Sequence, residues 1–305
     1  MEKPACRFCN APSQEQEIRA EHVFGGKPGH KFWKCQACSL VYLYPVPSAE
    51  EEAYFYKKEF EKFMTTRAEG ERDWTGPESH IKTNQDQVKR RWKFLEEFIT
   101  PKKRVLEIGC SSGFMMDEFR NSGMETFGVE PSGEFLEFLK SRNHETFESV
   151  ELLKQAHPGH KYDLIVHFFV LEHIRNTGEF IEEQLKLLNP DGVIIAEVPN
   201  VNDPLTSLYR IPAFEKFYWS IAHHYYFSPE SLSKILDKID CSYEFKLEQR
   251  YDLSNHMHWM QEGKPGGQGK YSHLFSSQTL ESYKSDLIKS ALCDTFFVYI
   301  RNRLS

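Results

Sequence analysis

The sequence predicts an α/β protein, a doubly wound Rossmann-like parallel sheet preceded by a small cysteine-rich ribbon. Three observations carry this. From Arg104 onward, strand-like apolar runs alternate with helical stretches, the pattern of a parallel sheet covered by helices on both faces. The first run, Val105-Leu106-Glu107-Ile108, enters a tight turn, Gly109-Cys110-Ser111-Ser112-Gly113, and Phe114-Met115-Met116-Asp117-Glu118-Phe119 then starts a helix. Near the N-terminus, two Cys-x-x-Cys pairs flank a β-like stretch.

The first unit spans 1–47. Cys6-Arg7-Phe8-Cys9 and Cys35-Gln36-Ala37-Cys38 are two knuckles, and a two-residue gap lets one turn supply two ligands to a tetrahedral ion. Cys6, Cys9, Cys35 and Cys38 are therefore the expected ligands of a structural Zn²⁺. A segment this short buries little surface, so the metal would supply its folding energy. Six basic against four acidic side chains in this unit make too weak a patch for RNA.

Over all 305 residues the net charge is −7, which gives no global field for nucleic acid or an anionic membrane. No apolar run reaches the roughly 18 residues of a membrane span, and the N-terminus lacks the apolar core of a signal peptide. The expected compartment is the cytoplasm, where seven cysteines favour metal ligands and isolated thiols over disulfides. Cys110, Cys241 and Cys293 are read as isolated.

Residues 48–100 read as a helical linker or cover. Ser48 with Glu51 makes a capping box for a helix over 49–64 that carries Tyr54, Phe55 and Tyr56. After a polar break ending in Gly76-Pro77, a second helix is expected over 79–99. Its Val88, Trp92, Leu95 and Ile99 fall on one core-facing stripe.

Residues 101–305 carry the sheet. Its Gly turn sets backbone N–H groups and a helix N-terminus against a ligand. A dinucleotide fingerprint would need Gly at 111 and 114, which here are Ser and Phe. The second strand is Thr126–Val129, and Glu130 stands at its C-terminal end, where an acid can accept ribose hydroxyls. Pro131 is read as opening the next helix. A weak third strand covers 145–147, with Glu148 beyond it. The fourth strand starts at Tyr162 and runs into His167-Phe168-Phe169-Val170-Leu171-Glu172-His173. The fifth is Val193–Val198, and closing strands cover 243–247 and 296–300.

Glu107-x-Gly109-x-x-x-Gly113, Asp163-Leu164-Ile165-Val166, Val170-Leu171-Glu172-His173, Leu188-Asn189-Pro190-Asp191-Gly192 and Glu197-Val198-Pro199-Asn200 resemble the successive motifs of class I S-adenosylmethionine (SAM) methyltransferases. The resemblance covers about residues 104–200 and implies a seven-stranded methyltransferase sheet. It also implies a SAM site built from Glu107, Gly109, Cys110, Ser111, Gly113, Phe114, Glu130, Pro131, Glu148 and Phe168. The cysteine ribbon together with His223-His224-Tyr225-Tyr226-Phe227-Ser228 is similar to bacterial methyltransferases of sugar and polysaccharide pathways, including zinc-ribbon C-methyltransferases of nucleotide-linked deoxysugars. This chain is shorter than those C-methyltransferases, which favours O-methylation.

The stretch 201–232 interrupts the sheet pattern as an insertion rich in Tyr209, Phe214, Phe217, Tyr218 and Trp219, rings that suit the C–H faces of a sugar. A hydroxyl acceptor needs a base, and His has the suitable acidity. His173, His223 and His224 are the candidates, with one ring of the adjacent pair expected to face the site and Glu172 to orient a His or bind the acceptor. The Gly-rich run 263–269 with Lys264 is a possible phosphate cradle. The expected partner is a sugar or nucleotide-sugar, with the ribbon closing the substrate side or joining two copies as a homodimer. A ribosomal-RNA base methyltransferase and a non-catalytic SAM-fold platform are the competing classes. Intact Glu107, Gly109, Gly113 and Glu130 argue against the platform.

Overall fold

The structure is a computed structural model describing residues 3–67 and 76–303; most of the polar break, 68–75, lies outside the described residues. Among the described residues, eleven strands form two sheets. β1 (Gln16–Ala20), β2 (Lys31–Cys35) and β3 (Val41–Tyr44) make an antiparallel ribbon. The main sheet begins with β4 (Arg104–Ile108), β5 (Glu125–Val129), β6 (Glu145–Phe147), β7 (Tyr162–Phe168) and β8 (Leu188–Pro199). After the two-residue β9 (Tyr225–Tyr226), β10 (Cys241–Glu248) and β11 (Thr295–Asn302) complete it.

The main-sheet order is β10-β11-β8-β7-β4-β5-β6, parallel except for the antiparallel β11. This is the seven-stranded doubly wound sheet that the motifs imply. Four residues of β4 and eight of β8 are buried in unbroken runs, as strands covered by helices on both faces must be. The chain adds strands outward from β4 through β6 and then returns to the other side of β4 with β7. That reversal opens a crevice beyond the C-terminal ends of β4 and β7, the standard ligand position in such sheets.

The expected single helix over 79–99 is instead Pro77–Thr83, Gln85–Leu95 and a 3₁₀ turn Glu96–Phe98. Asn84 breaks it, its side-chain amide donating to the His80 carbonyl at 2.8 Å. The stripe still packs as its spacing requires: Val88, Trp92, Leu95 and Ile99 lie against Val105, Phe119 and Leu164. The helix expected to open at Pro131 begins at Gly133, because Ser132 takes the N-cap position and Pro131 is an exposed residue before it.

β9 was not legible as a strand. It pairs antiparallel with β3, Val41 opposite Tyr226 and Tyr42 opposite Tyr225, so the ribbon sheet takes its fourth strand from the insertion. Phe24 N–H donates to the Trp219 carbonyl at 2.7 Å, and Ile221 N–H to the Phe24 carbonyl at 3.0 Å. The insertion's rings follow. Phe214, Tyr218, Trp219 and Tyr226 are buried with Phe32 and Val41 of the ribbon. Rings expected to offer a sugar platform are thus largely consumed in packing, since each gains more from removing its area from water here than at an open cleft. The Gly-rich loop is tied down instead: Gly269 N–H and the Ser272 hydroxyl donate to Asp252 Oδ2 at 3.1 and 3.2 Å, which puts a carboxylate beside the expected phosphate cradle.

Trp219 is 1 % exposed, 5.3 Å from the Phe32 ring and 4.6 Å from Tyr226. Trp219→Ala should cost about 3–5 kcal/mol in urea unfolding. A loss below about 1 kcal/mol would show that the ribbon joint carries little of the stability.

Candidate active site

The crevice is framed by the turn after β4. Gly109 and Gly113 have φ of +72° and +77°, and Ser111 is held at +48°. A Cβ on Gly109 would lie 2.6 Å from Val170 Cγ2, and one on Gly113 would run into Leu139. Both positions therefore require glycine for conformation and for space. Gly109 and Cys110 N–H groups donate to the Val129 carbonyl at 2.8 and 3.1 Å, tying the turn to β5. Glu130 closes the arrangement: Oε2 accepts from Ser111 N–H at 2.7 Å and Oε1 from Ser132 N–H at 2.9 Å. A carboxylate has about four acceptor positions, so holding the turn is compatible with binding a diol.

The Cys110 side chain does not face the crevice. It is 1 % exposed, packed with Met116 and Leu139, and burial pushes its thiol well above the ordinary value. Only its backbone borders the turn. Glu148 is an exposed residue at the end of β6, with Lys57 Nζ of the helix Ala49–Lys58 at 3.7 Å from its Oε1.

Glu107 lies inside, 3 % exposed, and burial raises its pKa to about 8 although Arg91 pulls the other way. Arg91 is also buried and its Nε meets Glu197 Oε2 at 2.8 Å, while Arg90 Nη2 meets Glu197 Oε1 at 2.6 Å. The Arg91 guanidinium lies 4.2 Å from the Phe168 ring centroid and 5.6 Å from that of Phe114. These two expected cofactor residues therefore flank a buried cation. His80 Nδ1 reaches Ser112 Oγ at 2.8 Å, and its ring lies 5.7 Å from that of Phe114. Sequence reasoning missed Arg91 and His80. The available signal was a basic pair, Arg90-Arg91, inside a helix whose stripe was read as core.

On the other side of the crevice, Val170 leads directly into the 3₁₀ turn Leu171–His173. Ligand atoms of Glu172, His173 and His223 lie within 4.8 Å of one another. His173 Nδ1 is 2.8 Å from the Ala222 carbonyl and 2.8 Å from the Tyr56 hydroxyl. The His173 and His223 rings meet edge-on with centroids 4.6 Å apart. His224 belongs to a different network: Nε2 is 2.9 Å from Glu52 Oε1, which also holds Arg175 at 2.6 Å, and Arg7 approaches Nδ1 at 3.4 Å. Burial, reinforced by Arg7 and Arg175, lowers its pKa to about 3, which makes it a poor base.

In the ribbon, Cys6 Sγ–Cys38 Sγ is 3.7 Å and Cys9 Sγ–Cys35 Sγ is 3.6 Å. Tetrahedral thiolates about 2.3 Å from Zn²⁺ stand about 3.8 Å apart. The four sulfurs thus fit a structural zinc ion.

A family profile described as "Methyltransferase domain" matches residues 80–244, more than half of the chain. The chain belongs to this methyltransferase family. Its methyltransferase domain has an α/β Rossmann-like fold. Ubiquinone biosynthesis O-methyltransferase of Rhodopseudomonas palustris is 23 % identical over 103 residues, 32 % of this chain and 41 % of the relative. The Nitrobacter winogradskyi protein of that name is 26 % identical over 103 residues, 32 % of this chain and 40 % of the relative. The aligned stretch thus spans about two-fifths of these relatives. Among solved structures, a SAM-dependent methyltransferase from Archaeoglobus fulgidus superposes with a TM-score of 0.47 at 19 % identity, over 80 % of this chain and 100 % of the other. Magnesium protoporphyrin IX methyltransferase from Synechocystis, solved with S-adenosylhomocysteine, gives 0.49 at 15 % identity over 83 % and 98 %. No helix of the described residues is long and apolar enough to cross a membrane.

The methyltransferase's Glu107 generates a testable pH dependence. Its folded pKa is about 8 against an ordinary 4.5, so the folded state binds the proton more tightly and stability falls as pH rises through that window. Thermal unfolding from pH 5 to 8 should show a downward slope in Tm that Glu107→Gln flattens. Equal slopes for the two proteins would contradict this assignment.

Proposed function

We propose that this methyltransferase transfers the SAM methyl group to a hydroxyl oxygen of a small polar acceptor, with a sugar or nucleotide-linked sugar as the favoured class. The supporting observation is the meeting of Glu172, His173 and His223 beside Val170, the residue that touches the Gly109 turn. When bound, SAM supplies a methyl group already activated on a sulfonium. Methyl transfer is an in-line displacement, so the protein's main task is alignment.

In this reading Gly109 and Gly113 let the backbone approach the donor, Glu130 takes its ribose hydroxyls, and Arg91 with Glu107 offers opposite charges to its amino-acid end. Cys110 contributes through its backbone, Ser111, Phe114 and Phe168 shape the pocket, and Pro131 and Glu148 form its outer rim. His223 or His173 receives the acceptor proton, with Glu172 orienting the pair. His224 acts as a strap between the ribbon and the helix Ala49–Lys58. The sugar class rests on the resemblance of the ribbon and the His-His-Tyr-Tyr-Phe segment to sugar-pathway enzymes. The zinc in the ribbon is structural, and it holds β3 where β9 pairs, one residue after His224.

SAM labelled at its methyl group, incubated with the enzyme and fractionated bacterial extract, should label a sugar or nucleotide-sugar fraction, and NMR of the product should show an O-methyl signal. Label in RNA, or a C-methyl signal, would replace this reading. Gly109→Arg should abolish SAM binding in calorimetry while leaving the circular dichroism spectrum intact. His223→Ala should leave SAM affinity unchanged and lower turnover by roughly two to four orders of magnitude; unchanged turnover would remove His223 from the chemistry. Cys9→Ser should lose one zinc per chain by elemental analysis and lower turnover with little change in SAM affinity. Retained zinc would sink the ligand assignment.

A further inference from the structure

We propose that Arg250 anchors an anionic group of the acceptor, a phosphate or a carboxylate whose oxygens meet its two terminal nitrogens. The inference rests on the reading of the crevice as the place where a small polar acceptor is methylated. It narrows that acceptor to one that carries a negative charge.

Arg250 lies two residues beyond β10, and β10 runs parallel to β8 because each pairs antiparallel with β11. It therefore stands on the crevice side of the sheet, past the strand ends where ligands bind in such folds. Phe169 connects it to the Gly109 turn. At the end of β7, Phe168 packs on the Arg91 guanidinium, Phe169 on that of Arg250, and Val170 against Gly109. The guanidinium carbons of Arg250 and Arg91 lie 4.5 and 5.7 Å from the Phe169 ring centroid, so two cations share one ring. Phe169 keeps this place with a φ of +58°, a conformation rare outside glycine, and its N–H donates to the Glu197 carbonyl at 2.8 Å. Strain of this kind persists where the surroundings over-determine it, and it collects at ligand sites.

Arg250 is itself fixed at three points. Its backbone N–H donates to Asp294 Oδ1 at 2.7 Å and its Nε to Oδ2 at 2.8 Å, while its carbonyl accepts from Lys284 Nζ at 2.7 Å. Asp294 is 1 % exposed, so one buried carboxylate sets both the backbone and the side chain of Arg250. These contacts use only Nε of the guanidinium. Among the described residues, Nη1 and Nη2 have no hydrogen-bond acceptor, and the side chain is 20 % exposed. A guanidinium presents its donors in a planar fork that matches two oxygens of a phosphate or carboxylate. A fork already oriented by a buried partner loses little freedom when it binds. Phe169 and Tyr251, whose centroid is 5.0 Å away, flank the cation without taking its hydrogen bonds.

The charge balance agrees. Arg90, Arg91 and Arg250 act on Glu197, and Asp294 acts on Arg250, which sets three cations against two carboxylates. Burial pushes Glu107 and Asp203 up to about 8 and raises Glu248 as well, which favours their neutral forms. One positive charge is left in excess, and a site partly screened from water makes an incoming anion feel it strongly.

Glucose 1-phosphate and glucuronate carry the two kinds of anion on one sugar ring, and glucose is the neutral control. In calorimetry of the full-length protein saturated with S-adenosylhomocysteine, one anionic probe should bind and glucose should not. Arg250→Lys keeps the charge and loses the fork. It should weaken that probe about tenfold, the loss of one charge-assisted hydrogen bond, with S-adenosylhomocysteine affinity and circular dichroism unchanged. Arg250→Gln should remove detectable binding. Preference for glucose 1-phosphate would identify the anion as a phosphate, and preference for glucuronate would identify a sugar acid. Uptake of neither probe by the unaltered protein, or equal affinity in the Lys variant, would overturn the proposal. An O-methyl sugar product from a protein that takes up neither probe would keep the acceptor reading and remove the anion site. A probe held through Arg250 by an enzyme that labels RNA or forms a C-methyl group would keep the anion site and remove the sugar O-methyl reading.

Discussion

The pairing of β3 with β9 is the constraint on which the placement of His223 and His224 depends. It is only two residues long, yet it joins the cysteine ribbon to the segment that carries His223 and His224. Leu43 N–H donates to the His224 carbonyl at 2.9 Å from the ribbon side, and His224 N–H donates to the Glu172 carbonyl at 2.8 Å from the sheet side. The histidine segment is therefore held between two sheets that fold by different means. One is stabilised by apolar burial over a large core, and the other combines a four-cysteine cluster with apolar packing of Phe32, Val41 and Leu43 against the insertion. This gives the ribbon a role within one chain: it sets the backbone from which His223 reaches Glu172 and His173.

The β4 side of the crevice depends on buried charge in a different way. Glu197 is fully buried on β8 and is met by Arg90 and Arg91 from the helix that lies across the sheet. Paired charges are tolerated in a core because each partner relieves the other's desolvation, whereas removing one would leave the rest exposed to the full cost. Glu107 has a weaker claim on Arg91, and burial pushes it toward its neutral form. A cationic ligand group beside Glu107 would reverse that preference. The helix Gln85–Leu95 thus packs through its apolar stripe and meets Glu197 through its basic pair.

Much of the sheet was legible because its signals are local. β6 has the bounds the sequence suggested, and the Gly109 turn and the acid after β5 stand where strand–turn–helix spacing puts them. Element ends were less legible. Ser132 displaced Pro131 as a helix start, and Asn84 split a helix whose periodicity ran on across it. The site was legible in part. His173 and His223 were named from residue chemistry, and the structure places their rings together. His224, their neighbour in sequence, is drawn into an ion network with Glu52, Arg7 and Arg175, residues far away along the chain.

The sequence by itself determined the class of fold, the Gly109 turn and the four-cysteine cluster, because each follows from short-range spacing and hydrophobic period. Only the tertiary structure decided which of two adjacent histidines joins Glu172, and that the insertion's aromatic rings would pack on the ribbon. It also decided that Arg91 would lie between Phe168 and Phe114. Those outcomes depend on which surfaces meet across long sequence separations, where apolar area and buried charge are matched between elements that carry no mark of one another.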